Sequence, residues 1–266
     1  MTDTAAALTY YGVLSIFPAL IALISVVALA GDGATQPILD ALADAPGPVS
    51  EILTDVVKTS ARTGAGLPFT LGILAALWSA SAYIGAFSRA CNTIFGVREE
   101  RPFWKLRPTQ FGLTAAALAL LGIASAASVL TGPIAREFGD MVGVGAETAA
   151  IWDRAKLPGL LVIVGGLIIL LMFTAPNVQF RSLRAVLPGG AVALVAWSIG
   201  SVLLGLYFEN FADYGKSYGA LGSVIAFLVW LWFSNLALLF GQLINAELQR
   251  GSEPTDESAV RPLVSP

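Results

Sequence analysis

Histidine is absent from this chain of 266 residues, and cysteine occurs once, as Cys91. Without imidazole, a His-ligated zinc centre, a Ser-His-Asp triad and a Cys-His pair cannot be assembled. A lone cysteine excludes an intrachain disulfide framework. Charge is also scarce: Asp, Glu, Lys and Arg make up 12% of the residues, against roughly 25% in soluble domains. A net charge of −3 and a pI near 5.0 argue against a nucleic-acid-binding surface. There is no P-loop, no GxGxxG after a strand and no cysteine cluster. Chemistry built on carboxylates, lysine or tyrosine alone survives these absences, but no pattern suggests it. No catalytic residue, metal ligand or cofactor is assigned, and the expectation is a protein that is not an enzyme.

What is present is apolar length. Six runs fill most of the chain: Leu8–Ala30, Phe69–Thr93, Phe111–Leu130, Leu157–Ala175, Leu187–Phe208 and Gly219–Leu248. Each matches the roughly 20 residues a helix needs to cross a hydrocarbon core. The mean hydropathy is +0.76. The fold class expected is all-α: a polytopic membrane protein with about six transmembrane helices and short interfacial amphipathic helices. Residues 1–248 form one transmembrane domain, and 249–266 form a disordered cytoplasmic tail. The N-terminal MTDTAAALTYY carries Asp3 and no Lys or Arg, so it reads as a first span rather than a signal peptide.

Orientation follows from where the basic residues fall. Arg98, Arg101, Lys105 and Arg107 lie between the second and third runs, Arg181 and Arg184 between the fourth and fifth, and Arg250 and Arg261 after the sixth. The opposite loops are longer and carry Lys58, Arg62, Arg136, Arg154, Lys156 and Lys216, offset by many acids. Both termini are therefore expected in the cytoplasm, with the protein in a bacterial inner membrane. In the first outer loop, Val49, Ile52, Leu53, Val56 and Val57 recur at helical spacing, which predicts an interfacial amphipathic helix over Val49–Ser60. Ile134–Val142 is a weaker second case. Packing against the spans explains both more simply than gating does.

Polar residues within spans should face other helices or water, because lipid offers them no partner. Tyr11, Ser15, Pro18, Ala22 and Ser25 fall on one face of the first span, within about 80° of arc. Ser81, Gly85, Ser88 and Asn92 do so on the second, flanked by Trp78 and Arg89, and Asn235, Gln242 and Asn245 form a stripe on the sixth. Two readings stand. Helix packing explains small and amide residues at interfaces, at roughly 1 kcal/mol per hydrogen bond. Alternatively, these faces surround a polar cavity or a lipid-headgroup groove, with Ser81, Ser88, Arg89, Asn92, Asn235, Gln242 and Asn245 binding substrate. Within the membrane boundary Arg89 needs a partner, with Glu99, Glu247 or an anionic ligand as candidates; against this, it lies close enough to the cytoplasmic end to snorkel. Arg98 and Arg101, within VREERPFWKLRP, are the candidates for headgroup contact, although interfacial aromatics and cations produce the same pattern without specificity. Pro18 and the glycines at 189, 190, 200 and 205 add points of bending or close approach.

Three blocks then carry a resemblance: AAALTYYGVLSIFPAL, LWSASAYIGAFSRACNTIFGVREERPFWKLR, and LYFENFADYGKSYGALGSVIAFLVWLWFSNLALLFGQLINAEL. With APNVQFRSLRAVLPGG before the fifth run, they resemble the bacterial YihY/BrkB membrane family in order along nearly the whole chain. The resemblance implies a six-span inner-membrane protein whose biochemical role is not established. Some members bear the label ribonuclease BN, widely regarded as a misassignment, and others are called virulence factors. Links of some members to envelope lipid export imply transport or flipping of an amphipathic envelope component. A membrane scaffold for envelope assembly is the alternative. Family members usually have a further N-terminal cytoplasmic stretch, and their common GAELNAE ending appears here as GQLINAE. The resemblance supplies no proven site residues. Expected partners are membrane lipids, anionic ones included, and a second copy of the chain, but not nucleic acid.

Overall fold

A computed structural model describes residues 1–28, 67–129, 146–180, 182–210 and 220–251. Among these residues the chain is all-helical, with six long helices: α1 (Thr2–Ala28), α2 (Leu67–Phe95), α3 (Phe103–Val129), α4 (Ala146–Thr174), α5 (Leu187–Asn210) and α6 (Ala220–Arg250). A short 3-10 turn, Leu183–Ala185, precedes α5. The predicted interfacial helices at Val49–Ser60 and Ile134–Val142, Arg181, and the tail beyond Gly251 lie outside the described residues. In lipid every backbone N–H and C=O must be paired within its own segment, so apolar sequence of this length becomes helix. Phe103–Ala124, Arg154–Thr174, Leu187–Tyr207 and Val224–Arg250 are each long and apolar enough to cross a membrane. The helices α1 and α2 match them in length, at 27 and 29 residues.

The helices pack as a ring in chain order, closed by contact between α1 and α6, and α2 also meets α6 across the centre. The pairs α5–α6 and α1–α2 pack most extensively. The polarity of a soluble protein is inverted. Large apolar side chains such as Leu157, Val162, Val195, Ile199, Val202 and Leu203 point outward, whereas Ser81, Asn235, Gln242 and Asn245 are fully enclosed. An apolar exterior is what a lipid solvent rewards. The core joins Ala5 and Leu8 of α1 to Ile84 and Phe87 of α2, Leu113 of α3, Leu171 of α4 and Leu239 of α6. A second cluster centres on Met172 of α4 with Val186 and Ala193 at the start of α5.

Backbone approach sets the α5–α6 spacing. A Cβ placed on Gly189 would overlap the carbonyl oxygen of Gly241, and one on Gly241 would reach 2.7 Å from Met172 Cε. Only glycine fits this contact from both sides. Further along the pair, Trp197 Nε1 donates to Ser234 Oγ at 3.1 Å and Trp230 Nε1 donates to Ser201 Oγ at 3.0 Å. Each indole on one helix thus finds a hydroxyl on the other, so neither N–H is left bare in the membrane.

Candidate functional site

The end of the bundle where α2, α4 and α6 finish is tied together by loop chemistry. Helix α2 stops at Gly96, whose φ of 70° is the left-handed conformation that ends helices. Gly96 N–H donates to Thr93 O at 3.2 Å and Val97 N–H to Asn92 O at 3.0 Å, the paired bonds of a Schellman motif. The turn delivers Glu99 and Arg101 to the end of α4. Arg101 grips Glu99 through Nε and Nη2, each at 2.7 Å, and also donates to the carbonyls of Thr174 at 3.3 Å and Ala175 at 2.8 Å. A cation on the last carbonyls of α4 also complements the helix dipole. The Arg101 contact, and a further hydrogen bond from Asn92 at 3.0 Å, hold the Glu99 carboxyl below the usual carboxylate range. Asn92 Oδ1 accepts the Asn177 N–H at 2.7 Å, and Asn177 Nδ2 donates to Arg98 O at 2.9 Å. The Arg98 side chain is exposed.

The polar residues singled out on the spans separate into two groups. Asn235, Gln242 and Asn245 face neighbouring helices. Asn235 accepts from Tyr83 Oη at 2.7 Å and donates to Thr9 Oγ1 at 3.2 Å, which joins α6 to α2 and α1. Gln242 donates to Met172 O at 3.1 Å and lies 3.5 Å from Cys91 Sγ, while its own carbonyl oxygen is buried without a partner. Asn245 accepts the Gly189 N–H at 2.9 Å and donates to Val186 O at 3.3 Å. Gly189 is in the first turn of α5, where N–H groups have no intrahelical acceptor. Asn245 therefore caps α5 from the opposite helix. Ser81 is back-bonded to Trp78 O at 2.7 Å, and Ser88 is buried at 3% exposure. None of these residues lines the pocket between α1, α2 and α3.

Arg89 belongs to a different setting. It lines a pocket of about 530 Å³ between α1, α2 and α3, with Tyr11, Trp78, Gly85, Phe103, Arg107 and Gln110 among the walls. Leu14, Trp78 and Phe103 form an exposed apolar lip, while Gly85 and Gln110 form a buried floor. The Arg89 guanidinium carbon stands 5.8 Å from the Tyr11 ring centroid; that of Arg107 is 4.4 Å from the Trp78 ring and 5.5 Å from Phe103. No carboxylate lines the pocket. Among the described residues neither guanidinium makes an ion pair, so the Glu99 and Glu247 partners expected for Arg89 are instead bound to Arg101 and Arg250. Gln110 is 5% exposed, and its side-chain amide makes no hydrogen bond among the described residues.

Arg107 and Gln110 escaped the sequence reading. Arg107 entered only as a loop cation and Gln110 closed the polar connection, because the third apolar run begins at Phe111. The helix begins eight residues earlier, at Phe103. Phe103, Arg107 and Gln110 stand at i, i+4 and i+7, which is one helix face. That spacing was the available signal, hidden by treating the start of hydrophobicity as the start of the helix.

Residues 1–262 match the family model described as "Virulence factor BrkB". The chain belongs to the BrkB family. Among BrkB relatives, the "Putative ribonuclease-like protein YfkH" of Bacillus subtilis (strain 168) is 30% identical over 259 residues, covering 95% of this chain and 92% of the relative. "UPF0761 membrane protein azo3165" of Azoarcus sp. (strain BH72) is 34% identical over 62% of this chain and 39% of its own length. "UPF0761 membrane protein RC1_0578" of Rhodospirillum centenum (strain ATCC 51521 / SW) is 30% identical over 92% of this chain and 53% of its own length. The chain thus spans nearly all of the Bacillus relative and about half or less of these two. No solved structure matches this BrkB protein.

Proposed function

We propose that this BrkB-family chain handles an anionic amphiphile in a bacterial inner membrane, admitting it laterally to the α1–α2–α3 pocket and moving it between leaflets. The observation that carries this reading is two arginines facing one pocket with no acid to neutralise them. Arg89 is exposed on the bundle surface and Arg107 is half-buried; where that surface faces lipid, a cation without a counter-charge is costly. Aromatic faces offset part of that cost, about 0.5–2 kcal/mol per contact, and an anionic ligand offsets the remainder. The exposed Leu14, Trp78 and Phe103 at the lip suit an acyl chain leaving the pocket sideways. In this proposal both termini are cytoplasmic, which puts the mouth near the inner leaflet. A non-enzymatic role belongs to the same proposal, and rests on the absence of histidine and the burial of the one cysteine. The ribonuclease-like name of the Bacillus relative finds no matching residue set in this sequence.

The test is leaflet exchange of a fluorescent anionic lipid in proteoliposomes. The expected result is protein-dependent movement that the Arg89→Ala/Arg107→Ala double variant loses while still inserting and melting like the parent. Movement equal in both proteins would overturn the role of the pocket. A chain that moves no lipid but co-purifies with a stoichiometric envelope protein would support the scaffold reading instead.

A further inference from the structure

We infer that the headgroup this pocket selects is a dianionic phosphate monoester, in preference to the monoanionic phosphodiesters that dominate most bilayers. The inference rests on the lipid-handling reading above and deepens it.

Charge counting comes first. Arg89 and Arg107 place two positive charges on the pocket, and its lining contains no Asp or Glu. A monoanion leaves one guanidinium uncompensated. A dianion neutralises both. Donor chemistry comes second. A guanidinium presents a planar fork of N–H groups suited to phosphate oxygens, and a monoester has three terminal oxygens with which to meet two forks. A diester has only two free oxygens, because the others are blocked by carbon. The third observation is independent of charge. Gln110 is 95% enclosed, as its 5% exposure shows, yet its amide has no hydrogen-bond partner among the described residues. Its Nε2 would lie 3.3 Å from a Cβ on Gly85, with Arg89 Nη1 at 3.5 Å from the same point, so amide and guanidinium converge on the glycine floor. The amide is not among the fully buried polar atoms that lack a partner, so it opens onto the pocket, where its Nε2 can donate to a third phosphate oxygen. The first turn of α3 also lines the cavity at Phe103 and Leu106, and the positive end of its dipole adds to the anion preference.

The two guanidiniums reach the pocket from different helices, and each rests against an aromatic ring. Tyr11 beside Arg89 and Trp78 beside Arg107 narrow the orientations each guanidinium takes before a ligand enters. This preorganisation favours a compact, highly charged group over a large, diffuse one.

Phosphate monoesters lose their second proton near pH 6, and that gives the inference a signature a generic basic patch would lack. The experiment measures binding of phosphatidic acid, phosphatidylglycerol and inorganic phosphate to the detergent-purified full chain at pH 5 and pH 8, with native mass spectrometry as a second readout. The expected result is phosphatidic acid bound at least about tenfold more tightly at pH 8 than at pH 5, with phosphatidylglycerol weaker and flat across that range. Arg107→Ala should flatten the phosphatidic acid profile, and Arg107→Lys should retain most of it. Arg89→Lys guards against misfolding in the same way. Equal, Arg-dependent binding of both lipids would overturn this inference and leave the lipid-handling reading intact. Lipid binding that ignores both arginines would overturn inference and reading together. Inorganic phosphate bound as tightly as phosphatidic acid would overturn the amphiphile and identify a free-phosphate site.

Discussion

The α5–α6 interface and the α1–α2–α3 pocket spend their polar residues in opposite ways. Along α6, Asn235, Asn245 and Ser234 each meet partners on neighbouring helices, and Gln242 meets Met172 O, with only its carbonyl oxygen left over. Around the pocket, Arg89, Arg107 and Gln110 meet rings and open volume. An intramembrane amide is therefore weak as a sign of function by itself. The informative quantity is whether the group is already satisfied inside the bundle. By that measure the amide stripe of α6 acts as helix glue, and the pocket is the place where the fold leaves something for a ligand to complete.

The largest effect that tests this contrast is steric. Gly189→Ala places a Cβ on the Gly241 carbonyl, and backbone on both sides cannot yield cheaply. Overpacking of this kind costs about 1–3 kcal/mol in ordinary cores and more where backbone must shift. The expected outcome is loss of monodisperse, folded protein in a fluorescence size-exclusion assay. On the pocket side, Gly112 has nothing within 4 Å of an added Cβ, so Gly112→Ala should leave the same profile unchanged. A Gly189→Ala protein as stable as the parent would show that the α5–α6 contact yields to a methyl group.

The intermediate effect separates satisfied from unsatisfied polar groups. Asn245→Ala strips the cap from Gly189 N–H in a place without water, while Val186 O loses one donor and keeps the Gly190 N–H. A loss of about 1–2 kcal/mol is expected, seen as a lowered detergent melting temperature. Arg107→Ala removes two cation–π contacts together with a charge that has no ion pair among the described residues, and the two effects oppose. Melting without ligand should therefore change by less than about 1 kcal/mol, below the Asn245→Ala loss. If Arg107→Ala melts earlier than Asn245→Ala, the guanidinium is a structural group and the contrast collapses.

Much of the fold was legible because lipid allows few solutions. Six apolar runs became six helices, and the small-and-polar faces of α2 and α6 turned inward as their periodicity implied. The site was harder to read for two physical reasons. First, α3 extends as helix through the charged segment Phe103–Gln110, where hydropathy reports water but backbone pairing continues. Second, partnering is a three-dimensional property. The sequence placed Arg89 and Arg101 in the same basic neighbourhood, yet one is locked to Glu99 and two carbonyls while the other faces a cavity. Their neighbours in the chain do not foretell which arginine is spent.

That pair supplies the smallest and most specific expectation. Arg101 holds the Glu99 carboxyl ionised below its ordinary range, near 4.3 for an unperturbed glutamate. The folded value is depressed, so the stabilisation is fully present above the unfolded value and is lost as pH falls through the folded one. Melting temperature should be indifferent to this pair from pH 8 down to about 5, then decline in more acid solution. Glu99 is partly exposed and the interaction is screened, which limits the contribution to below about 1 kcal/mol. Glu99→Gln should remove that acid-dependent component while keeping hydrogen bonds to Arg101 and Asn92 within reach. The pocket arginines have no carboxylate beside them, so Arg89→Ala should leave the acid limb of the stability curve where it was. An acid limb that moves with Arg89 rather than Glu99 would mean that the pocket cation does have a carboxylate partner, and the division between the two regions would fail at its most polar point.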